Sequence, residues 1–198
     1  MAETAARRST ILFVCTGNVC RSPYMEYQLR EMLAGTGARR LPIASAGTRA
    51  LRGYPMAEFL TERLHTRGVD ATDFRSTQLT RETLEQAGIV VTATREHRTE
   101  VVRYGNELAA RTFTLAQLAR LLSVGPSYSA ERRADGQPVS AADVASAAVA
   151  ARGLRAGSAS IDDDLDDPWQ RSRRTYRRVA DRIDELLLPV ANRLVSGG

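Results

Sequence analysis

The run Thr10-Ile11-Leu12-Phe13-Val14 opens the patterned part of the chain and predicts a strand. Helical spacing then takes over. Met25, Leu29, Met32 and Leu33 recur on one face between Pro23 and Ala34, with Ser22 as a candidate N-cap, Pro23 at the first helical position and Gly35 as the stop. A short apolar run, Leu41-Pro42-Ile43-Ala44, predicts a second strand that ends in Ser45-Ala46-Gly47-Thr48. Met56, Phe59, Leu60 and Leu64 mark a second helix, closed by Gly68, and a short helix is expected near Arg81 to Gln86. Ile89-Val90-Val91 has the continuous apolar character of a strand buried on both faces. Glu96 to Arg103 is helical by pattern, and Thr112-Phe113-Thr114 is a short fourth strand. Strands alternating with helices predict an α/β protein whose parallel sheet carries helices on both sides. Ligands of such sheets sit beyond the carboxyl ends of the strands, where Cys15 stands.

From Ser123 to Ser160 the pattern gives way to Gly, Ser, Ala and Arg, and a flexible insertion is expected over 123–160. Within it, Ser140 is placed to cap an alanine-rich helix from Ala141 to Arg152, too poor in large apolar residues to anchor itself firmly. Order returns with an acidic loop from Ile161 to Trp169. A last helix follows, with Tyr176, Val179, Ala180, Ile183, Leu186, Leu187 and Val190 as the stripe that docks on the sheet. Pro189 is expected to kink or fray its end. The organisation predicted is an N-terminal tail, 1–9, and one domain, 10–198.

Composition narrows the class. A chain of 198 residues is long enough to bury a core without staples, and its two cysteines, five residues apart, make no disulfide framework. The first ten residues lack the apolar centre of a signal peptide, and the ILFV run is too short to span a bilayer. A cytoplasmic protein without membrane insertion is expected. The net charge of +5 comes from basic residues that are all arginine and are spread along the chain. No nucleic-acid-binding motif accompanies them, so no nucleic acid partner is predicted. The densest cluster, Arg171 to Arg178, reads as a solvated helix face.

The chemistry concentrates in Cys15-Thr16-Gly17-Asn18-Val19-Cys20-Arg21-Ser22-Pro23. A strand, a tight loop and a helix start aim backbone N–H groups and the positive helix end at one point, and Gly17 is the residue expected to let the chain turn. The thiolate, not the thiol, is the nucleophile. Here the helix N-terminus, the inward amides and Arg21 favour it, and Ser22 is placed to donate a hydrogen bond to it. The same features bind a phosphoryl dianion, with the Arg21 guanidinium bonding two oxygens and residues 16–20 wrapping three equatorial oxygens above the sulfur. One carboxylic acid can protonate the leaving oxygen and later activate water. Asp167, beside the rigid Pro168 and the possible pocket wall Trp169, is the candidate, although five aspartates over 162–167 also fit a solvated loop. No metal or cofactor is called for. His65 and His97 read as surface or packing residues. Cys20 reads equally as a small buried hydrophobe or as a partner for a reversible disulfide with Cys15.

The CTGNVCRSP loop resembles that of the low-molecular-weight protein tyrosine phosphatases. The resemblance extends through Ser45-Ala46-Gly47-Thr48, the Gly53/Pro55 turn, Gly68-Val69-Asp70 and Asp167-Pro168-Trp169. It implies a flavodoxin-like three-layer sandwich with a four-stranded parallel sheet, and hydrolysis of phosphomonoesters, phosphotyrosine proteins foremost, through a cysteinyl-phosphate. It further implies Cys15 as nucleophile, Arg21 as phosphate ligand, Asp167 as general acid, Asn18 and Ser45 as supports of a strained loop backbone, and Ser22 as a group that tunes the thiolate. Three features depart from the family pattern. Phe74 stands where a supporting histidine is usual, Leu51 stands where an aromatic often lines the pocket, and the 123–160 insertion precedes the acid loop.

Two other functions fit parts of this pattern. Arsenate reductases share the loop, but the thioredoxin-linked type needs further cysteines and none follows Cys20, so an external thiol would have to serve. A phosphoprotein-binding module with little turnover is the other. Among phosphatases, the arginine-directed type tends to carry threonine where Val19 stands.

Overall fold

The structure, a computed structural model, describes residues 9–124, 139–154 and 163–195. Among these residues, four parallel strands form one sheet in the order β2-β1-β3-β4: β1 (Thr10–Cys15), β2 (Ile43–Gly47), β3 (Ala87–Thr92) and β4 (Thr112–Thr114). The helices are α1 (Arg21–Leu33), α2 (Glu58–His65), α3 (Arg81–Gln86), α4 (Arg95–Val102), α5 (Leu115–Val124), α6 (Ala141–Leu154) and α7 (Arg173–Val195).

Alternation along the central strand sorts the core. Ile11, Phe13 and Cys15 join a large cluster with Tyr24, Met25 and Leu29 of α1 and Val179, Ile183 and Leu187 of α7. Leu12 and Val14 point the other way, to Leu84 of α3 and Val101 of α4. A parallel sheet buried on both faces between helical layers is a flavodoxin-like α/β sandwich, as predicted. The chain runs outward from β1 to β2, then crosses back to β3 on the opposite flank of β1. The carboxyl ends of β1 and β3 therefore form the topological switch point, the crevice where such sheets bind ligands. Cys15 ends one strand, and Ala93 and Thr94 follow the other.

Several local expectations need correction. Helix α1 starts at Arg21 rather than at Pro23, Cys20 occupies the N-cap position without a side-chain cap bond, and the Ser22 side chain is committed elsewhere. Helix α5 went unpredicted because its apolar stripe follows Thr114 without a break, so strand and helix run together in the hydropathy pattern. Helix α6 is not weakly held. Ala141, Val144, Ala145 and Ala148 are buried against the large core, and the small side chains let the helix approach closely where large ones would not fit. Its Ser140 cap is present, with the hydroxyl accepting the Asp143 N–H at 3.2 Å while the Asp143 carboxylate accepts from Ser140 N. The remainder of the 123–160 segment, residues 125–138 and 155–160, and all of the 1–9 tail but Ser9 lie outside the described residues. Pro189 does not end α7, which continues to Val195 because Val190, Ala191 and Leu194 are buried beyond it.

Candidate active site

Between β1 and α1, the loop carbonyls are turned away from its centre. Those of Cys15, Thr16, Gly17 and Val19 accept the N–H groups of Thr48, Arg49, Leu51 and Ala57 at 2.8–3.0 Å, and that of Cys20 accepts Tyr24 N. With the carbonyls spent outward, the N–H groups of residues 16–20 find no protein partner among the described residues. A run of such unpartnered donors between a strand end and a helix start is the arrangement in which backbone N–H groups can hold an anion.

Strain in the loop falls at Asn18, not at Gly17. Asn18 has φ of 53°, in the left-handed region, whereas Gly17 lies outside that region and a Cβ added to it would meet Val19 and Leu51 at ordinary contact distances. The wholly buried Asn18 side chain holds that turn with three bonds. Its Nδ2 donates to Ser22 Oγ and Ser45 Oγ, both at 2.9 Å, and its Oδ1 accepts Thr77 N at 2.8 Å. Support behind the loop thus reaches it from Thr77 and Ser45, with the buried Phe74 nearby in the core. Ser22 Oγ, accepting from Asn18, lies 2.9 Å from Cys15 Sγ and is placed to donate to a thiolate there. Cys20 is free and buried at the end of the loop. Burial pushes its thiol up to about 12, and its Sγ donates weakly to Tyr176 OH at 3.8 Å.

Arg21, at the first turn of α1, is buried. Its Nη1 donates to the Leu165 carbonyl at 3.2 Å, Nη2 pairs with Asp167 Oδ2 at 2.8 Å, and buried Nε has no partner among the described residues. Asp167 stands half-exposed at the mouth, with Oδ1 accepting Trp169 N at 3.2 Å. The loop that carries it is exposed at Asp164, Asp166 and Asp167 but pinned at several points. Leu165 N donates to Ala93 O, buried Asp163 takes Arg120 Nη1 at 2.6 Å, and Asp164 takes Arg95 through backbone and side chain. On the outside Asp166 takes Arg178.

Cys15, Thr16, Gly17, Val19, Cys20, Arg21, Leu51, Asp167 and Trp169 line one cleft of about 150 Å³ at the switch point. Asn18, Ser22 and Ser45 stand behind it in the network just described. Arg49 completes the rim and escaped prediction, because one arginine among many carries no pattern of its own. His97 is also drawn in. It is buried, its Nε2 lies 2.8 Å from Thr16 Oγ1, and burial with the nearby Arg21 lowers its pKa to about 4.

A free thiol, an arginine and an aspartate thus meet at one cleft, and residues 10–121 match the low molecular weight phosphotyrosine protein phosphatases. The chain belongs to this family. It is 38% identical over 82 residues to a probable low molecular weight protein-tyrosine-phosphatase of Ralstonia solanacearum, an alignment that spans 41% of the chain and about half (53%) of that relative. It is 36% identical over 110 residues to a protein-arginine-phosphatase of Geobacillus stearothermophilus, covering 54% of the chain and 69% of the relative. Its fold matches a low molecular weight protein tyrosine phosphatase from T. tengcongensis with a TM-score of 0.68 at 22% identity, over 94% of this chain and 99% of that one. The arginine phosphatase of Geobacillus stearothermophilus superposes with a TM-score of 0.64 at 25% identity, over 94% and 92% of the two chains.

Both phosphatase types share the fold, so the walls of the cleft must distinguish them. Val19, Leu51 and Trp169 make the walls apolar, and the charge at the rim comes from Arg49 on one side and Asp167 on the other.

Proposed function

We propose that this protein is a cysteine-dependent phosphomonoesterase that acts on phosphotyrosine in proteins. The observation that carries this is the meeting of Cys15, Arg21 and Asp167 at a cleft beside loop N–H groups that have no protein partner among the described residues. The phosphoryl dianion sits on those amides, with its oxygens also taking the unpaired Arg21 Nε. Cys15 Sγ attacks phosphorus in line, with the Ser22 hydroxyl favouring the thiolate. The P–O bond to the leaving group breaks as the S–P bond forms, and Asp167 gives its proton to the departing oxygen. Asp167 then takes a proton from water, which attacks the phosphocysteine and releases inorganic phosphate. The Arg21–Asp167 contact gives way as the anion takes over the guanidinium.

Tyrosine is favoured by the cleft. An aryl ring fits between Val19, Leu51 and Trp169. Arg49 at the rim is paired with Glu100 at 3.8 Å, so the apolar walls rather than a free rim charge carry this preference. A cytoplasmic location belongs to the same proposal, since a free Cys15 nucleophile needs a reducing compartment.

The test is hydrolysis of p-nitrophenyl phosphate, of a phosphotyrosine peptide and of a phosphoarginine peptide by wild type, Cys15→Ser and Asp167→Ala. Cys15→Ser should abolish turnover, and Asp167→Ala should slow it most for the poorer leaving group. Undiminished activity in Cys15→Ser would sink the mechanism. Preference for the phosphoarginine peptide would reassign the substrate, and arsenate reduction without phosphatase activity would reassign the reaction.

A further inference from the structure

Three groups form a chain into the cleft from the end of β3. Thr94 caps α4, its Oγ1 accepting the His97 backbone N–H at 3.3 Å. The same Oγ1 lies 2.6 Å from His97 Nδ1, and His97 Nε2 lies 2.8 Å from Thr16 Oγ1. His97 is buried, and Thr16 lines the cleft beside Cys15.

The direction of these bonds follows from counting protons. A neutral imidazole has one N–H and one bare nitrogen, and the lowered pKa keeps His97 neutral in ordinary buffers. Thr94 Oγ1 already accepts the backbone N–H. Were Nδ1 also to donate to it, the hydroxyl proton of the part-buried Thr94 would be left to solvent, with no acceptor among the described residues. The satisfied arrangement has Thr94 O–H donating to Nδ1, which leaves the ring proton on Nε2, donating to Thr16 Oγ1. Thr16 Oγ1 then serves as the acceptor, and its own proton is directed to the cleft, where no protein acceptor among the described residues competes for it.

Resting on the phosphatase function proposed above, we propose that His97 is a positioning residue that fixes the Thr16 hydroxyl as a side-chain hydrogen-bond donor to the bound phosphoryl group, relayed from Thr94. Backbone amides and Arg21 provide the other donors. Thr16 adds one whose direction is set from a second strand end, so the β1 and β3 sides of the switch point both act on the same anion. Oriented donors of this kind contribute because they need no reorganisation when charge develops on the transferring oxygens.

The test combines kinetics with two readouts that need no turnover. Wild type, His97→Ala, His97→Gln, Thr16→Val and the His97→Ala/Thr16→Val double variant are compared in p-nitrophenyl phosphate hydrolysis and in affinity for inorganic phosphate, and the imidazole tautomer is read from long-range 15N–1H spectra. Each single loss should lower kcat/KM and phosphate affinity by roughly tenfold. The double variant should be no worse than Thr16→Val, and His97→Gln, which keeps a donor within reach of Thr16, should recover most of the loss. The spectra should show the proton on Nε2. An Nδ1–H tautomer, additive losses in the double variant, or wild-type kinetics in His97→Ala would overturn the inference while leaving the phosphatase function standing. If wild type hydrolyses nothing, the phosphatase function falls, and the tautomer with the phosphate affinities of the same five proteins decides this inference alone.

Discussion

Asn18 bears the conformational cost of the anion loop. A buried side chain held at φ of 53° by Ser22, Ser45 and Thr77 stores strain in the backbone and offsets it with hydrogen bonds. Asn18→Ala removes those bonds and leaves a Cβ-bearing residue in the left-handed region without compensation. A loss of roughly 3 kcal/mol in chemical denaturation is expected, with a much larger fall in turnover. Gly47 is the second sensitive position. A Cβ there would sit 2.5 Å from the Thr16 carbonyl and 3.0 Å from Asn18 Cβ, so it would press on the loop from β2. For Gly47→Ala, kcat/KM should fall at least tenfold while the far-UV spectrum is unchanged, because the push falls on the loop and not on the sheet. Cys15 and Arg21 were legible from their setting, with an apolar run before the loop, Gly17, Asn18 and Ser22 within it and a helix start after it, because spacing alone says little in a chain so rich in arginine. The displacement of strain from Gly17 to Asn18 was not, since residue type signals permission for a left-handed turn and only the backbone says where the turn is made.

At the scale of elements, the acid loop and α6 depart most from what composition suggests. Five aspartates read as solvated because charge normally seeks water, yet Asp163 is buried and ion-paired with Arg120 of α5. Asp163→Asn keeps the shape and weakens the pair. It should cost roughly 2 kcal/mol and slow hydrolysis of substrates with poor leaving groups more than of p-nitrophenyl phosphate, because the Asp167 segment loses an anchor. Helix α6 can be tested by comparing two neighbours: Ala148 is fully buried and Val149 is 42% exposed. Ala148→Asp should destabilise by several kcal/mol, whereas Val149→Asp should stay within about 0.5 kcal/mol. Equal and negligible effects would mean that the helix does not dock. Propensity and hydrophobicity undervalued α6 because alanine adds little area per residue; its contribution comes from the close approach that small side chains allow.

Across the whole molecule, stability should depend on pH through the buried imidazole. His97 is held at about 4 in the folded protein against an ordinary 6.5, so the unfolded chain binds more protons between these values. Its effect is to make stability rise with pH across that window and fall as pH drops from about 6.5 to 4, by at most roughly 3 kcal/mol. The groups facing it, Arg21, Arg49, Glu100 and Asp167, contribute to the same field. The difference between wild type and His97→Gln in urea midpoints measured over this range isolates the histidine: the wild-type slope should be the steeper. By itself the sequence determined the alternation of strands and helices, the parallel sheet, and the thiol–arginine loop at the end of β1, because hydrophobic period and local spacing are written within a few residues of each other. Tertiary structure decided the rest. Thr94 and His97 lie some eighty residues from Thr16, and Asp163 lies more than forty from Arg120. Such partners are chosen only when the sheet order puts β3 beside β1 and the closing segment returns across their carboxyl ends, where burial makes each unpaired polar group costly and so selects its mate.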